Sequence, residues 1–191
     1  MREIVAFDFD GTLTRSDSFI RFAVFTRGWF RTTVALVRAV PAIIKWKTGR
    51  ISSSAAKERL FGLLFGGYDA EAFQDAGCRF AAQITNFQRS ETVGLLRQYV
   101  ARGTEVIIIS ASMPQWIKPW AKALGVSKII ATEPDIKDGR VTGRFATPNC
   151  LGPEKVRRIL EVEPQPFRLI AYGDSSGDNE LLAFADEAHR I

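Results

Sequence analysis

The chain is poor in the side chains that bind soft metals or cross-link a fold. Its 191 residues include one histidine, His189, and two cysteines, Cys78 and Cys150. There is no Cys-x-x-Cys pair and no Cys/His cluster, which argues against a thiolate or imidazole metal site and against a disulfide framework. His189 sits close to the last residue and reads as a surface side chain, not a base. Long uncharged apolar runs are also missing, and none approaches the ~20 residues that span a bilayer. Residues 1–9 place acids inside a short apolar run, unlike a secretory leader, so the expectation is a cytoplasmic protein. What remains is the composition of an ordinary globule, 46% apolar and 25% charged. That suits one domain, or a core domain carrying an inserted subdomain.

The formal charge of +5 is unevenly spread. Between Arg15 and Arg59 there are ten basic residues, opposed only by Asp17 and Glu58, so this stretch carries +8 and the rest carries 5 − 8 = −3. Such asymmetry points either to an anionic partner or to a solvated helical surface. Within it, Arg27, Arg31, Arg38 and Lys45 fall within about 40° on a helical wheel. Val34, Leu36, Val37, Val40, Ile43 and Ile44 occupy a broad opposite arc, with Trp29, Phe30 and Trp46 at the ends. Pro41 should kink or split such a helix. A basic amphipathic helix of this kind either lies on an anionic membrane surface or packs its apolar arc on the core or a partner chain. The first alternative would put the protein at the inner face of the membrane. Neither zinc-finger spacing nor an RNA-binding motif is present, so no nucleic acid is expected.

Four short apolar runs read as buried parallel strands: Ile4 to Phe7, Val106 to Ile109, Lys128 to Ala131, and Phe167 to Tyr172. Helical stretches over Glu91–Ala101, Pro114–Leu124 and Pro153–Glu161 alternate with them. This alternation predicts an α/β fold, a Rossmann-like parallel sheet covered by helices. Asp138-Gly139 and Thr142-Gly143 punctuate a small hairpin near Ile136 to Phe145. Residues Asp17 to Arg89 show helical periodicity and no convincing strand, with a turn at Gly66-Gly67. The expected organisation is therefore a sheet core of residues 1–14 and 91–191, with an all-helical insertion, residues 15–90, after the first strand.

Asp8-Phe9-Asp10-Gly11-Thr12-Leu13-Thr14 follows the first strand directly. Carboxylates at the mouth of a parallel sheet are costly unless a cation or hydrogen-bond donors hold them. In an extended chain Asp8 and Asp10 would point the same way, and Gly11 would let the backbone turn. Asp174 and Asp178 end another strand and could join Asp8 in an all-oxygen site suited to Mg²⁺. Asp178 also has the spacing to close a capping box with Ser175. Ser110 ends a third strand; its hydroxyl suits a phosphate oxygen or a helix cap, and Ser112 competes with it. Lys155 lies in the first turn of a helix, where a cation opposes the dipole. It is either aimed at an anion or solvated. Trp116 and Trp120, four apart on a helix, read as packing.

These four sites, in this order, resemble the haloacid dehalogenase-like hydrolase superfamily, over about Val5 to Leu182. The first looks like its Asp-x-Asp-x-Thr motif; Ser110, Lys155 and the Asp174/Asp178 pair match the second, third and fourth. The insertion looks like the helical cap of the phosphoserine-phosphatase-like branch. The resemblance implies a phosphomonoesterase in which Asp8 forms an aspartyl phosphate and Asp10 acts as acid and then base. It implies Mg²⁺ held by Asp8, the Asp10 carbonyl and Asp174, with Asp178 supporting. Ser110 and Lys155 would bind the phosphoryl oxygens. Phosphoserine phosphatases carry a glutamate where this chain has Asp17, and usually asparagine where it has Gly177, which weakens phosphoserine as the substrate while keeping Asp17 as a substrate contact. The surroundings of Asp17, the basic segment ending near Gly49-Arg50, and Cys150 to Lys155 are similar to C-type phosphatidylglycerophosphate phosphatases. The implied partner is thus a phosphorylated small molecule or a lipid phosphate.

Overall fold

A computed structural model describes residues 2–191. Five parallel strands form the central sheet: β1 (Arg2–Phe7), β2 (Glu105–Ser110), β3 (Lys128–Ala131), β6 (Phe167–Gly173) and β7 (Glu187–Arg190), in the order β3-β2-β1-β6-β7. Strands β4 (Pro134–Lys137) and β5 (Arg140–Phe145) make the separate antiparallel hairpin. Strand β1 sits in the middle because both of its faces are apolar. Val5 and Phe7 join one core and Ile4 and Ala6 the other, the alternation a pleated strand imposes. Helices α4 (Ser90–Ala101), α5 (Pro114–Ala123), α6 (Pro153–Val162) and α7 (Asn179–Phe184) connect the strands. Strand β7 and α7 have no counterpart among the sequence expectations. The β7 strand is short, and its Ala188 is its only apolar residue. His189 lies on it, half-buried and stacked 4.5 Å from Tyr172.

Three helices intervene between β1 and α4: α1 (Ser18–Lys47), α2 (Ser53–Phe65) and α3 (Ala70–Ala81). Their cores meet through an aromatic cluster of Phe19, Phe22, Phe61, Phe65 and Phe73. The two ends of this insertion are pinned side by side. Arg15 donates its backbone N–H to Phe87, Arg89 donates its own to Leu13, and the Arg89 Nε reaches the Gly11 carbonyl at 2.7 Å. The hairpin packs against α2, where a Cβ on Gly62 would lie 3.0 Å from the Gly143 carbonyl oxygen.

Helix α1 departs from expectation in two ways. It breaks at Gly28, with φ 76° and ψ 160°, and not at Pro41. A backbone at positive φ is open to glycine without Cβ strain, whereas Pro41 removes only one N–H and sits on the exposed side. Arg27, ahead of the break, leaves the basic row and stacks on Tyr68 at 4.9 Å. Secondly, the apolar arc is not the packed face. Thr32, Ala35 and Ala39 are buried, and Leu36 and Ile43 are half-buried. Val34, Val37, Val40 and Ile44 are exposed. Small residues let α1 lie close to its neighbours and leave the larger ones outside. No helix among the described residues is long and apolar enough to cross a membrane.

Candidate active site

All seven residues singled out above, Asp8, Asp10, Asp17, Ser110, Lys155, Asp174 and Asp178, line one cavity of about 410 Å³ at the carboxyl ends of the strands. This is where open parallel sheets bind ligands. Asp8 follows the last residue of β1, is buried, and accepts from the Lys155 Nζ at 2.5 Å and from the Thr12 hydroxyl at 3.3 Å. Lys155 is fully buried and also donates to Asp178 at 2.5 Å. It is therefore not a solvated surface lysine. Burial alone would lower its pKa, but the two carboxylates outweigh that and hold it above the ordinary lysine range.

Asp178 does close the capping box: its Oδ2 accepts from the Ser175 N–H at 3.0 Å and the Asp174 N–H at 3.2 Å, while Oδ1 takes Lys155. Carboxylate oxygens of Asp8, Asp174 and Asp178 all lie within 4.8 Å of one another. Two glycines make this convergence possible. A Cβ on Gly11 would stand 2.1 Å from the Asp174 carboxylate, and one on Gly173 would stand 2.6 Å from the Asp178 Cβ.

Asp10 reaches the cavity from another side. Strand β1 has ended at Phe7 and the chain turns through Gly11, so extended-strand alternation does not apply. Its Oδ1 accepts from the Ser18 N–H at 2.7 Å and its Oδ2 from the Ser112 hydroxyl at 2.5 Å. Ser112 in turn accepts from the Ser18 hydroxyl, which accepts from the Trp116 indole at 2.9 Å. Trp116 packs on Phe22 as expected, but its N–H also anchors this chain of donors. Of the two competing serines, Ser112 is engaged with Asp10. The Ser110 hydroxyl is buried and caps the Ser112 N–H at 3.0 Å. Asp17 is exposed at the rim and caps α1 through the Ile20 N–H at 3.0 Å.

The electrostatics are those of an acidic cavity short of cations. Burial pushes the Asp8 carboxyl up to about 7 against the pull of Lys155. Burial, then the charge of Asp17, pushes Asp10 up to about 6 against the Ser112 and Ser18 donors. Asp174 is raised as well, first by burial and then by Asp178. Asp178 is lowered: burial opposes this, but Lys155 and Ser175 outweigh it. A hard divalent ion fits this donor set, because the ligands are all oxygen and the carboxylates are crowded beyond what Lys155 neutralises.

Lys57 was not anticipated. It lines the same cavity, its Nζ donates to the Ala111 carbonyl at 3.0 Å, and burial lowers its pKa despite Asp17, Asp10 and Asp8. One signal was available: Lys57 shares a helical stripe with the buried Phe61 and Leu64, an unusual place for a cation.

Comparison with known proteins agrees with this geometry. The family model of haloacid dehalogenase-like hydrolases matches residues 5–183. Protein CicA of Caulobacter vibrioides is 38% identical over 192 residues, covering 96% of this chain and 83% of CicA. A Bordetella pertussis protein of unknown function superposes with a TM-score of 0.77 at 27% identity, covering 98% of this chain and 89% of its own. A phosphoserine phosphatase solved as a phospho-aspartyl intermediate analogue has the same fold, with a TM-score of 0.66 at 18% identity over 98% of this chain and 85% of that one. A largely buried acidic cluster at the mouth of a parallel sheet, a helical insertion after β1 and a family match across nearly the whole chain together assign the protein to the haloacid dehalogenase-like hydrolases, with the fold of the phosphoserine-phosphatase branch.

Proposed function

We propose that the protein hydrolyses phosphate monoesters, with Mg²⁺ as cofactor and Asp8 as a covalent nucleophile. One observation carries this reading. Asp8 is buried between Lys155 and Thr12 in a carboxylate cluster, while Asp10, in the same cavity, is held apart by Ser112 and Ser18. Two carboxyl groups in different environments suit two different tasks.

Asp8 attacks the phosphorus and the bond to the ester oxygen breaks. Asp10, with a pKa near 6, gives its proton to the departing oxygen. The phosphoryl group now rides on Asp8. Water attacks its phosphorus, Asp10 takes the proton, and inorganic phosphate leaves with Asp8 restored. Ser110 and Lys155 hold the phosphoryl oxygens, and Lys155 also offsets the charge of Asp8. Asp8, Asp174 and the Asp10 backbone carbonyl would hold Mg²⁺, with Asp178 bracing Lys155 and the Asp174 backbone. The bound ion supplies positive charge that lets a phosphate dianion approach these acids.

Asp17 and Lys57 at the rim support a second substrate reading, a phosphoserine-like small metabolite with an amine or hydroxyl for Asp17. A lipid phosphate, phosphatidylglycerophosphate among them, draws support from a separate feature, an apolar chamber beside the cavity. The reaction itself is tested by turnover of an aryl phosphate with Mg²⁺. Asp8→Asn should lower kcat by about 10⁴-fold; equal rates for the two proteins would remove the nucleophile assignment.

A further inference from the structure

A second chamber of about 330 Å³, between α1 and α2, adjoins the catalytic cavity. The two share Asp17, Lys57, Ala111 and Leu151 as walls. Their chemistry differs: the first is lined by acids and lysines, the second by Phe19, Ile20, Ile43, Trp46 and Leu60. Lys57 lines both, its ammonium 5.4 Å from the centre of the Phe19 ring and donating to the Ala111 carbonyl. A ligand filling both would carry a phosphate at one end and an apolar group at the other. This size and lining are those of a small-molecule site.

The chamber has its rim at the end of α1. Trp46 lines it while remaining 43% exposed, and on the same turns Val40 and Ile44 point outward. The outer face of α1 is a continuous apolar strip. Phe30, Val37 and Ile44 are spaced by seven residues, which keeps them within about 40° of each other. They are 67%, 64% and 56% exposed. Val34, Val40 and Trp29 widen the strip. Arg31, Arg38 and Lys45, each one residue further on, form an exposed basic row along its flank. The opposite face, Thr32, Ala35 and Ala39, is the packed one. The strip is thus available at no cost to the fold.

We propose that the substrate is a membrane-borne phosphate monoester, taken from an anionic lipid surface on which the outer face of α1 rests, with its apolar tail in the chamber and its phosphate at Asp8. This rests on the phosphomonoesterase reading and adds the class and source of the substrate. The strip supplies apolar insertion and the basic row supplies attraction to anionic headgroups. A second copy of the chain fits less well, because a two-fold contact through this strip would bring the two basic rows together.

Two measurements test it. With Mg²⁺ and monomeric alkyl phosphates, kcat/KM should rise about tenfold or more from ethyl to octyl phosphate as methylenes fill the chamber. Ala56→Phe, which occupies the chamber, should flatten that rise. A flat series in the unaltered protein overturns the chamber assignment. Failure to turn over any ester, an aryl phosphate included, instead overturns the hydrolytic reading beneath it.

For the surface, the Asp8→Asn protein should co-sediment with vesicles of phosphatidylcholine mixed with phosphatidylglycerol, but not with pure phosphatidylcholine vesicles. High salt should release it. Val37→Asp and Ile44→Asp, at exposed positions, should abolish sedimentation while leaving circular dichroism unchanged. Absence of sedimentation with the mixed vesicles, or a dimer lost in those two variants in its place, overturns the membrane source.

Discussion

The sheet mouth and the outer face of α1 break the usual partition of residues in opposite directions. At the mouth, Asp8, Asp178 and Lys155 are charged groups almost wholly withdrawn from water. Along α1, Phe30, Val37 and Ile44 are large apolar groups left in it. Buried charges are held by specific partners, so removing one partner is expensive. An exposed apolar side chain has no partner to lose, so replacing it costs the fold little. The mouth is therefore a place where stability and chemistry are entangled, and the strip is one where a property has been kept without benefit to the fold. The mouth lines one cavity, and α1 lends Ile43 and Trp46 to the cavity beside it.

The largest expected effect is at the mouth. Lys155→Met leaves Asp8 and Asp178 buried without their cation, and should cost about 3 kcal/mol of stability, read as a fall in unfolding midpoint in denaturant. Its activity should fall by about 10³-fold even where the variant is fully folded. A Lys155→Met protein as stable as the parent would mean the mouth is wetter than its geometry implies.

Next comes the dependence on pH and metal. Asp8, Asp10 and Asp174 all have raised pKa values, so the folded state binds protons more tightly than the unfolded chain. Their contribution is most favourable below the unfolded carboxyl pKa, near 4, and is lost as pH rises through about 7. In chelator, Tm should drop by roughly 5 °C between pH 5 and pH 7.5. Mg²⁺ should recover most of this, and more at the higher pH. A metal effect equal at both pH values would contradict the cluster as its site.

Packing on the two sides of α1 gives the third contrast. Ala39→Leu on the inner face should destabilise by about 1–3 kcal/mol through overpacking. Val37→Ser on the outer face should stay within about 0.5 kcal/mol of the parent. Comparable losses at both positions would show that the strip is covered within the fold. The smallest effect belongs to Ser112→Ala. Ser112 donates to the Asp10 carboxylate and favours its ionised form, so the variant should have a higher Asp10 pKa. The descending limb of the kcat/KM profile, where Asp10 loses its proton, should move up by a few tenths of a pH unit.

How much of this was readable beforehand follows from how local each signal is. The strands Ile4–Phe7 and Lys128–Ala131 are short, β-branched or apolar runs bounded by turn residues, and the sheet built from them has the expected parallel form. The five acids, the serine and the lysine stood out because each lies at a strand end or opens a helix, and one cavity gathers them. Less local features were hidden. Lys57 depends on how α2 is turned over Ala111. The relay from Trp116 through Ser18 and Ser112 to Asp10 joins three elements distant in sequence. Periodicity showed that α1 is amphipathic but not which face packs. That was decided by Thr32, Ala35 and Ala39, whose small size permits close approach and whose hydropathy gives little signal. The break falls at Gly28 and not at Pro41, because a positive φ disrupts a helix more completely than one missing donor.

The most direct test of the account is to catch the phosphoryl group on the enzyme. The protein is mixed with an aryl phosphate and Mg²⁺, quenched in acid within one turnover, and digested for mass spectrometry. A phosphorylated peptide spanning β1 with the modification on Asp8, absent from Asp8→Asn, is the predicted result. Full turnover with no phosphorylated Asp8 at any quench time, or a phosphoryl group on Ser110 or Asp10, would contradict it.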